Sequence, residues 1–110
     1  MRERRDRVAS LLKGAVAEII LKEARDPNLK EVTITSCHMS RDLHRAIFYF
    51  ITLNEKREGI LLKSLERAKG FIKLKLSKKV RLKFMPEIEF TPDEILKAER
   101  KIGKVLNNES

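Results

Sequence analysis

Apolar positions in the first two dozen residues return at intervals of three and four: Val8, Leu11, Leu12, Ala15, Val16, Ile19 and Ile20. That spacing predicts an amphipathic helix from about Glu3 to Ala24, ended by Asp26-Pro27-Asn28. The period then falls to two. Val32 and Ile34 alternate with Thr33 and Thr35 between Glu31 and Met39, which predicts a strand, and Ser40-Arg41-Asp42-Leu43 predicts a turn. From Arg45 to Leu53 the run Ala46-Ile47-Phe48-Tyr49-Phe50-Ile51 is apolar at both parities, the pattern of a strand inside a covered sheet.

After Asn54 helical spacing resumes at Leu61, Leu65, Ala68, Ile72 and Leu76. Gly70 interrupts it, either ending one helix or kinking two together. The stretch Ile72-Lys73-Leu74-Lys75-Leu76 also alternates strictly, so a hairpin into Val80-Arg81-Leu82-Lys83-Phe84 fits the same residues, and periodicity leaves both open. Leu82, Phe84, Ile88 and Phe90 share one parity and predict a third strand from Arg81 to Phe90, with Pro86 favouring an edge or a bulge. Thr91-Pro92-Asp93-Glu94 supplies a cap, a proline at the first helical position and an acid at the third. A last helix over about 92–106 carries Ile95, Leu96, Ile102, Val105 and Leu106. The predicted order is α-β-β-α-(α)-β-α, with no internal repeat and no low-complexity linker.

A chain of 110 residues suffices for one core, and residues 1–110 are expected to form a single domain. Hydrophobic content of 42% beside 37% charged residues describes a globular protein with a highly charged surface. Cys37 is the lone cysteine, which excludes an internal disulfide and an all-cysteine zinc site and suits the reducing cytoplasm. The start, Met1-Arg2-Glu3-Arg4-Arg5-Asp6, lacks the apolar run of a secretory signal, and no segment approaches the roughly 18 apolar residues that cross a membrane.

The net charge of +9 changes the picture once it is located. Between Lys56 and Lys83 stand eleven basic residues against Glu58 and Glu66, whereas the rest of the chain carries fourteen of each sign. The entire excess lies in one stretch, and segregation of this kind points to a polyanionic partner.

Candidate chemistry is sparse. Gly14, Gly59, Gly70 and Gly103 are isolated, so neither a P-loop nor a dinucleotide fingerprint is present. Cys37, His38, Asp42 and His44 flank one turn, yet Cys37 and His38 would face opposite sides of a strand; a packed thiol and surface imidazoles are the simpler reading. Glu87 and Glu89 share a strand face and read as its solvated side, opposite Ile88 and Phe90. Ser40, Asp42 and His44 are too close in sequence for a triad. No catalytic residue, metal or cofactor is expected. Phe71 and Phe84 read as core, which leaves base stacking little support and phosphate contacts from Lys and Arg much more. A membrane-surface helix fits poorly, because the basic segment leads straight into a core strand.

The order of elements and several specific residues resemble the ribosome-binding factor A family along nearly the whole chain. The resemblance runs through Asp26-Pro27, Met39-Ser40-Arg41-Asp42-Leu43, the aromatic strand into Leu53-Asn54, Ala68-Lys69-Gly70-Phe71-Ile72, Arg81-Leu82 and Met85-Pro86-Glu87-Ile88. It implies an α+β, type II KH-like fold in which two helices meet at an Ala-x-Gly kink, here Ala68 and Gly70, in place of a GxxG loop. It implies binding to the small ribosomal subunit late in assembly, near the three-prime end of its RNA and the decoding-centre helix. Assistance in processing the five-prime end of that RNA follows, without catalysis by the factor. At the C-terminus Asp93 matches, whereas Ile95 stands where Ser is usual and Glu99 where Gly is usual.

These readings converge on a cytoplasmic, monomeric RNA-binding assembly factor whose partners are small-subunit rRNA, the small subunit and ribosomal proteins. The basic helix pair and third strand would clamp phosphates through Lys63, Arg67, Lys69, Lys73, Lys75, Lys78, Lys79 and Arg81, with Arg41 and Arg45 near the turn. Lys75 lies beside the apolar stripe, where a lysine snorkels. The rival reading is a protein-interaction module that docks an acidic partner on the same face.

Overall fold

Helix α1 (Arg2–Lys22) buries Ala9, Leu12, Val16, Ile19 and Ile20, the stripe its spacing predicts. This computed structural model describes the backbone of residues 2–109 and the side chains of residues 3–103. After α1, Asp26 caps a 3-10 turn (Pro27–Glu31) by accepting from the Asn28 amide at 2.9 Å, and the turn drops Leu29 into the core. Strand β1 (Val32–Met39) pairs antiparallel with β2 (Arg45–Thr52), and β3 (Glu87–Pro92) adds parallel to the other side of β2. Helix α2 (Glu58–Lys79) makes the crossover between those parallel strands, which a tight turn could not. Helix α3 (Glu94–Glu109) follows β3.

Helix α1 lies over β1 and α2 over β3, and the two helices touch. Their buried faces meet Val32, Ile34, Met39, Ala46, Phe48, Phe50, Ile88 and Phe90 on one side of the sheet. A bulge between Ile34 and Ser36 makes this possible. It shifts the alternation by one, so Cys37 and Met39 return to the core side occupied by Val32 and Ile34. The fold class is the expected one, α+β with a KH-like order. No helix among the described residues is long and apolar enough to cross a membrane.

Three expectations need correction. One unbroken helix, α2, stands where two were to meet at Ala68-Lys69-Gly70. Leu61 and Leu65 before that point, and Ile72 and Leu76 after it, are all buried on one stripe, so the second half needs no new direction. The third strand begins at Glu87 rather than Arg81. Its partner β2 begins at Arg45, opposite Glu87, so residues 81–86 have no strand to pair with. Finally, Thr91 and Pro92 still pair with Tyr49 and Phe50, and Asp93, not Thr91, caps the last helix.

Candidate nucleic-acid interface

The inner stripe of α2 fixes what its outer face presents. With Leu61, Leu65, Ile72 and Leu76 buried, Lys63, Arg67, Gly70, Leu74 and Lys78 point to solvent at intervals of three and four. At 1.5 Å per residue, Lys63 and Lys78 are about 22 Å apart along the axis. Arg67 donates to Ser64 Oγ at 3.3 Å. Among the described residues Lys63, Arg67, Lys78 and Arg81 have no acidic partner, nor has Arg41 at the β1–β2 turn.

The other expected contacts are engaged within the molecule. Lys69 pairs with Glu66 at 2.7 Å, Lys73 with Glu87 at 3.3 Å, and Lys79 with both Glu18 and Glu23 at 3.5 Å. Arg45 pairs with Glu89 across the β2–β3 ladder. Lys75 is half-buried, its Nζ 5.6 Å from the centre of the Phe71 ring, as its place beside the apolar stripe led us to expect. Exposed ion pairs contribute about 0–1 kcal/mol, so these cations can exchange a carboxylate for a phosphate at small cost.

Both acids of the basic segment are engaged in ion pairs and leave the outer row of α2 to its cations. Glu66 is taken by Lys69, and Glu58 by Lys97 at 2.8 Å. The Glu58 hydrogen bond, joined by Glu94, holds the Lys97 ammonium above its usual range. The result is a cationic face on one rigid element.

The turn is held by short polar contacts. Asp42 accepts from the His44 amide at 3.0 Å and from Ser40 Oγ at 2.7 Å, and these bonds hold its carboxyl below the usual range. Cys37 packs against the core from β1, and burial pushes its thiol up to about 12, which leaves it protonated and a poor nucleophile or ligand at neutral pH. Among the described residues no group of three or more His, Cys, Asp or Glu side chains could hold a metal.

The family model for ribosome-binding factor A matches residues 4–106. The chain belongs to the ribosome-binding factor A family. A ribosome-binding factor A from Syntrophus aciditrophicus is 34% identical over 106 residues, covering 96% of this chain and 86% of the relative. One from Staphylococcus carnosus is 36% identical, covering 96% and 92%. The crystal structure of ribosome-binding factor A from Thermus thermophilus superposes with a TM-score of 0.72 at 30% identity, over 80% of this chain and 94% of that one. A further Thermus thermophilus homology model, fitted into the cryo-EM map of a 30S complex, gives a TM-score of 0.66 at 29% identity, over 79% and 92%.

Within this member of the family, Gly70 has no heavy atom within 4 Å of where a Cβ would stand, and no described glycine has a positive φ. Neither a close approach nor a special backbone angle at Ala68-Gly70 accounts for the glycine. The last helix is anchored at its base: Thr35 Oγ1 donates to Asp93 at 2.6 Å, and the Leu96 amide donates to Asp93 at 3.0 Å. Ile95 and Ile102 on it stay exposed; the side chains of Val105 and Leu106 lie outside the described residues. Sequence reasoning missed one aromatic. Phe84, read as core, is 48% exposed and stands perpendicular to His44 with ring centres 4.6 Å apart. Its place between Lys83 and the β3 entry, at the end of the basic segment, was the signal available.

Proposed function

We propose that this protein is an RNA-binding ribosome-assembly factor that binds the small ribosomal subunit late in its maturation. It assists processing of the five-prime end of the small-subunit rRNA by holding RNA in one conformation, not by catalysing cleavage. A binder that selects one conformer shifts the population by its difference in affinity, and that suffices for such a role. Lys63, Arg67, Lys78 and Arg81 make the principal phosphate contacts, and Lys69, Lys73, Lys79, Arg41 and Arg45 flank them.

The observation that carries this reading is the cationic row on the outer face of α2, without an acidic partner among the described residues, in a chain of this family. The Thermus thermophilus relative fitted into a 30S map supports the choice of particle. Gradient sedimentation of a lysate tests it. The protein is expected in the small-subunit peak, and a variant with Lys63, Arg67, Lys78 and Arg81 all changed to Gln is expected near the top of the gradient. Cells lacking the protein are expected to accumulate small-subunit rRNA extended at its five-prime end. Migration of the native protein with the large subunit, or with no ribosomal particle, would overturn the proposal.

A further inference from the structure

At the end of the molecule beyond the last turn of α2, an apolar recess opens beside the β1–β2 turn. Leu11, Leu43 and Phe84 wall it, Arg4, Arg81 and Lys83 stand at its rim, and among the described residues no acidic one lines it. Leu11 is 53% exposed and Phe84 48%, so two large apolar side chains face water where burial in the core was available to others. Leu43 adopts φ 64°, a left-handed conformation that a branched side chain seldom takes. The turn enforces it: the Leu43 amide donates to Ser40 O at 3.0 Å, and Ser40 Oγ accepts from the Arg45 amide at 3.0 Å while donating to Asp42. A disfavoured residue held this firmly, and turned toward a recess, is a common mark of a binding site.

We propose that this recess takes one unpaired nucleobase of single-stranded RNA, stacked on Phe84, while Arg4, Arg81 and Lys83 hold the flanking phosphates. The Phe84 ring stands at 83° to His44 with ring centres 4.6 Å apart, an edge-to-face contact that fixes its orientation at the recess. Aromatic faces take any base, and arginine and lysine beside them hold the backbone; together they make the usual platform for single strands. Arg81 lies one residue beyond the C-cap of α2, Val80, so the cationic row on that helix leads strand phosphates toward the recess. The inference rests on the RNA-binding reading above and adds to it the class of RNA, unpaired rather than duplex.

The test uses the full chain with a single-stranded RNA carrying 2-aminopurine, and a duplex RNA of equal length as control. Native protein is expected to quench the 2-aminopurine on binding. Phe84→Ala is expected to lose about 5- to 150-fold in single-strand affinity, together with the quench, and to keep its duplex affinity. Phe84→Leu, which retains apolar bulk, is expected to behave as Phe84→Ala, and Phe84→Tyr as the native protein. Unchanged single-strand binding in Phe84→Ala, equal loss on both RNAs, or full binding by Phe84→Leu each overturns the inference while leaving the phosphate-binding face of α2 standing. Binding of neither RNA by the native protein overturns that face as well. A polyglutamate peptide that binds natively but not to Phe84→Ala assigns the recess to protein and overturns the inference too.

Discussion

At Gly70 a Cβ would meet open space, and the residue lies inside a continuous helix with no positive φ. Glycine in such a place costs about 0.5–1 kcal/mol relative to alanine, because it gives up more backbone freedom on folding. Gly70→Ala is therefore expected to raise the melting temperature, and a lowered one would show that α2 needs the glycine. Cys37 gives a second residue-scale expectation. Its thiol, raised to about 12 by burial, is almost wholly protonated at neutral pH, and the thiolate is the species that alkylating reagents attack. Iodoacetamide is expected to label it slowly in the folded protein and fast in denaturant; fast labelling of the native state would contradict the packed geometry. A packed thiol was legible from a lone cysteine in a strand, but not its side of the sheet: parity from Val32 and Ile34 sets Cys37 with Thr33 and Thr35, and only the bulge between Ile34 and Ser36 returns it to the core. Phe84 was not legible. Parity places it with Leu82 and Ile88, but whether a strand forms there depends on where β2 begins, some forty residues away in sequence.

Among the described residues, the start of α3 is tied to the body by polar contacts. Asp93 takes the Thr35 hydroxyl and the Leu96 amide, and these two bonds depress its carboxyl below the usual range. Lys97 reaches back to Glu58 on α2. A depressed carboxyl stabilises the folded state fully above the unfolded value, about 3.9, and the contribution fades as pH falls through the lower folded value. Asp93→Asn keeps a capping side chain but cannot titrate. The difference in melting temperature between native protein and Asp93→Asn is therefore expected to be constant from pH 7 to about 5 and to shrink below about pH 4; a difference that grows on acidification would reverse the assignment. Asp93→Ala, which removes the cap, is expected to cost about 1 kcal/mol at pH 7. The sequence placed this helix but capped it two residues early, because Thr-Pro-Asp-Glu satisfies the start rule at two positions and only the parallel ladder with β2 decides between them. For α2 the error ran the other way. A glycine in a helical pattern reads as a break unless the apolar stripe on both sides is seen to face one core.

On the scale of the whole molecule, the sequence located the charge but could not sort it. Eleven cations in one segment read alike in one dimension; folding gives several of them carboxylates from α1 and β3 and leaves a row on α2 without any among the described residues. That sorting predicts unequal effects on RNA binding. Neutralising Lys63, Arg67 or Lys78 removes a cation free to displace counterions, so each is expected to flatten the slope of log affinity against log salt by roughly 0.7–0.9. Neutralising Lys73 or Lys79 is expected to flatten it less, since each already spends part of its field on Glu87 or on Glu18 and Glu23. Lys22, paired with Glu18 on α1, and Lys30, ahead of β1, serve as controls away from the row. At physiological salt, screening over roughly 8 Å confines a charge to its own neighbourhood, so their reversal is expected to change affinity little. Folding is expected to stay within about 0.5 kcal/mol of native in all these variants, because the changes are at the surface. Equal losses from the row and from the controls would mean that net charge alone draws RNA, whereas a graded series, steepest for Lys63, Arg67 and Lys78, would fix the outer face of α2 as the surface that meets it.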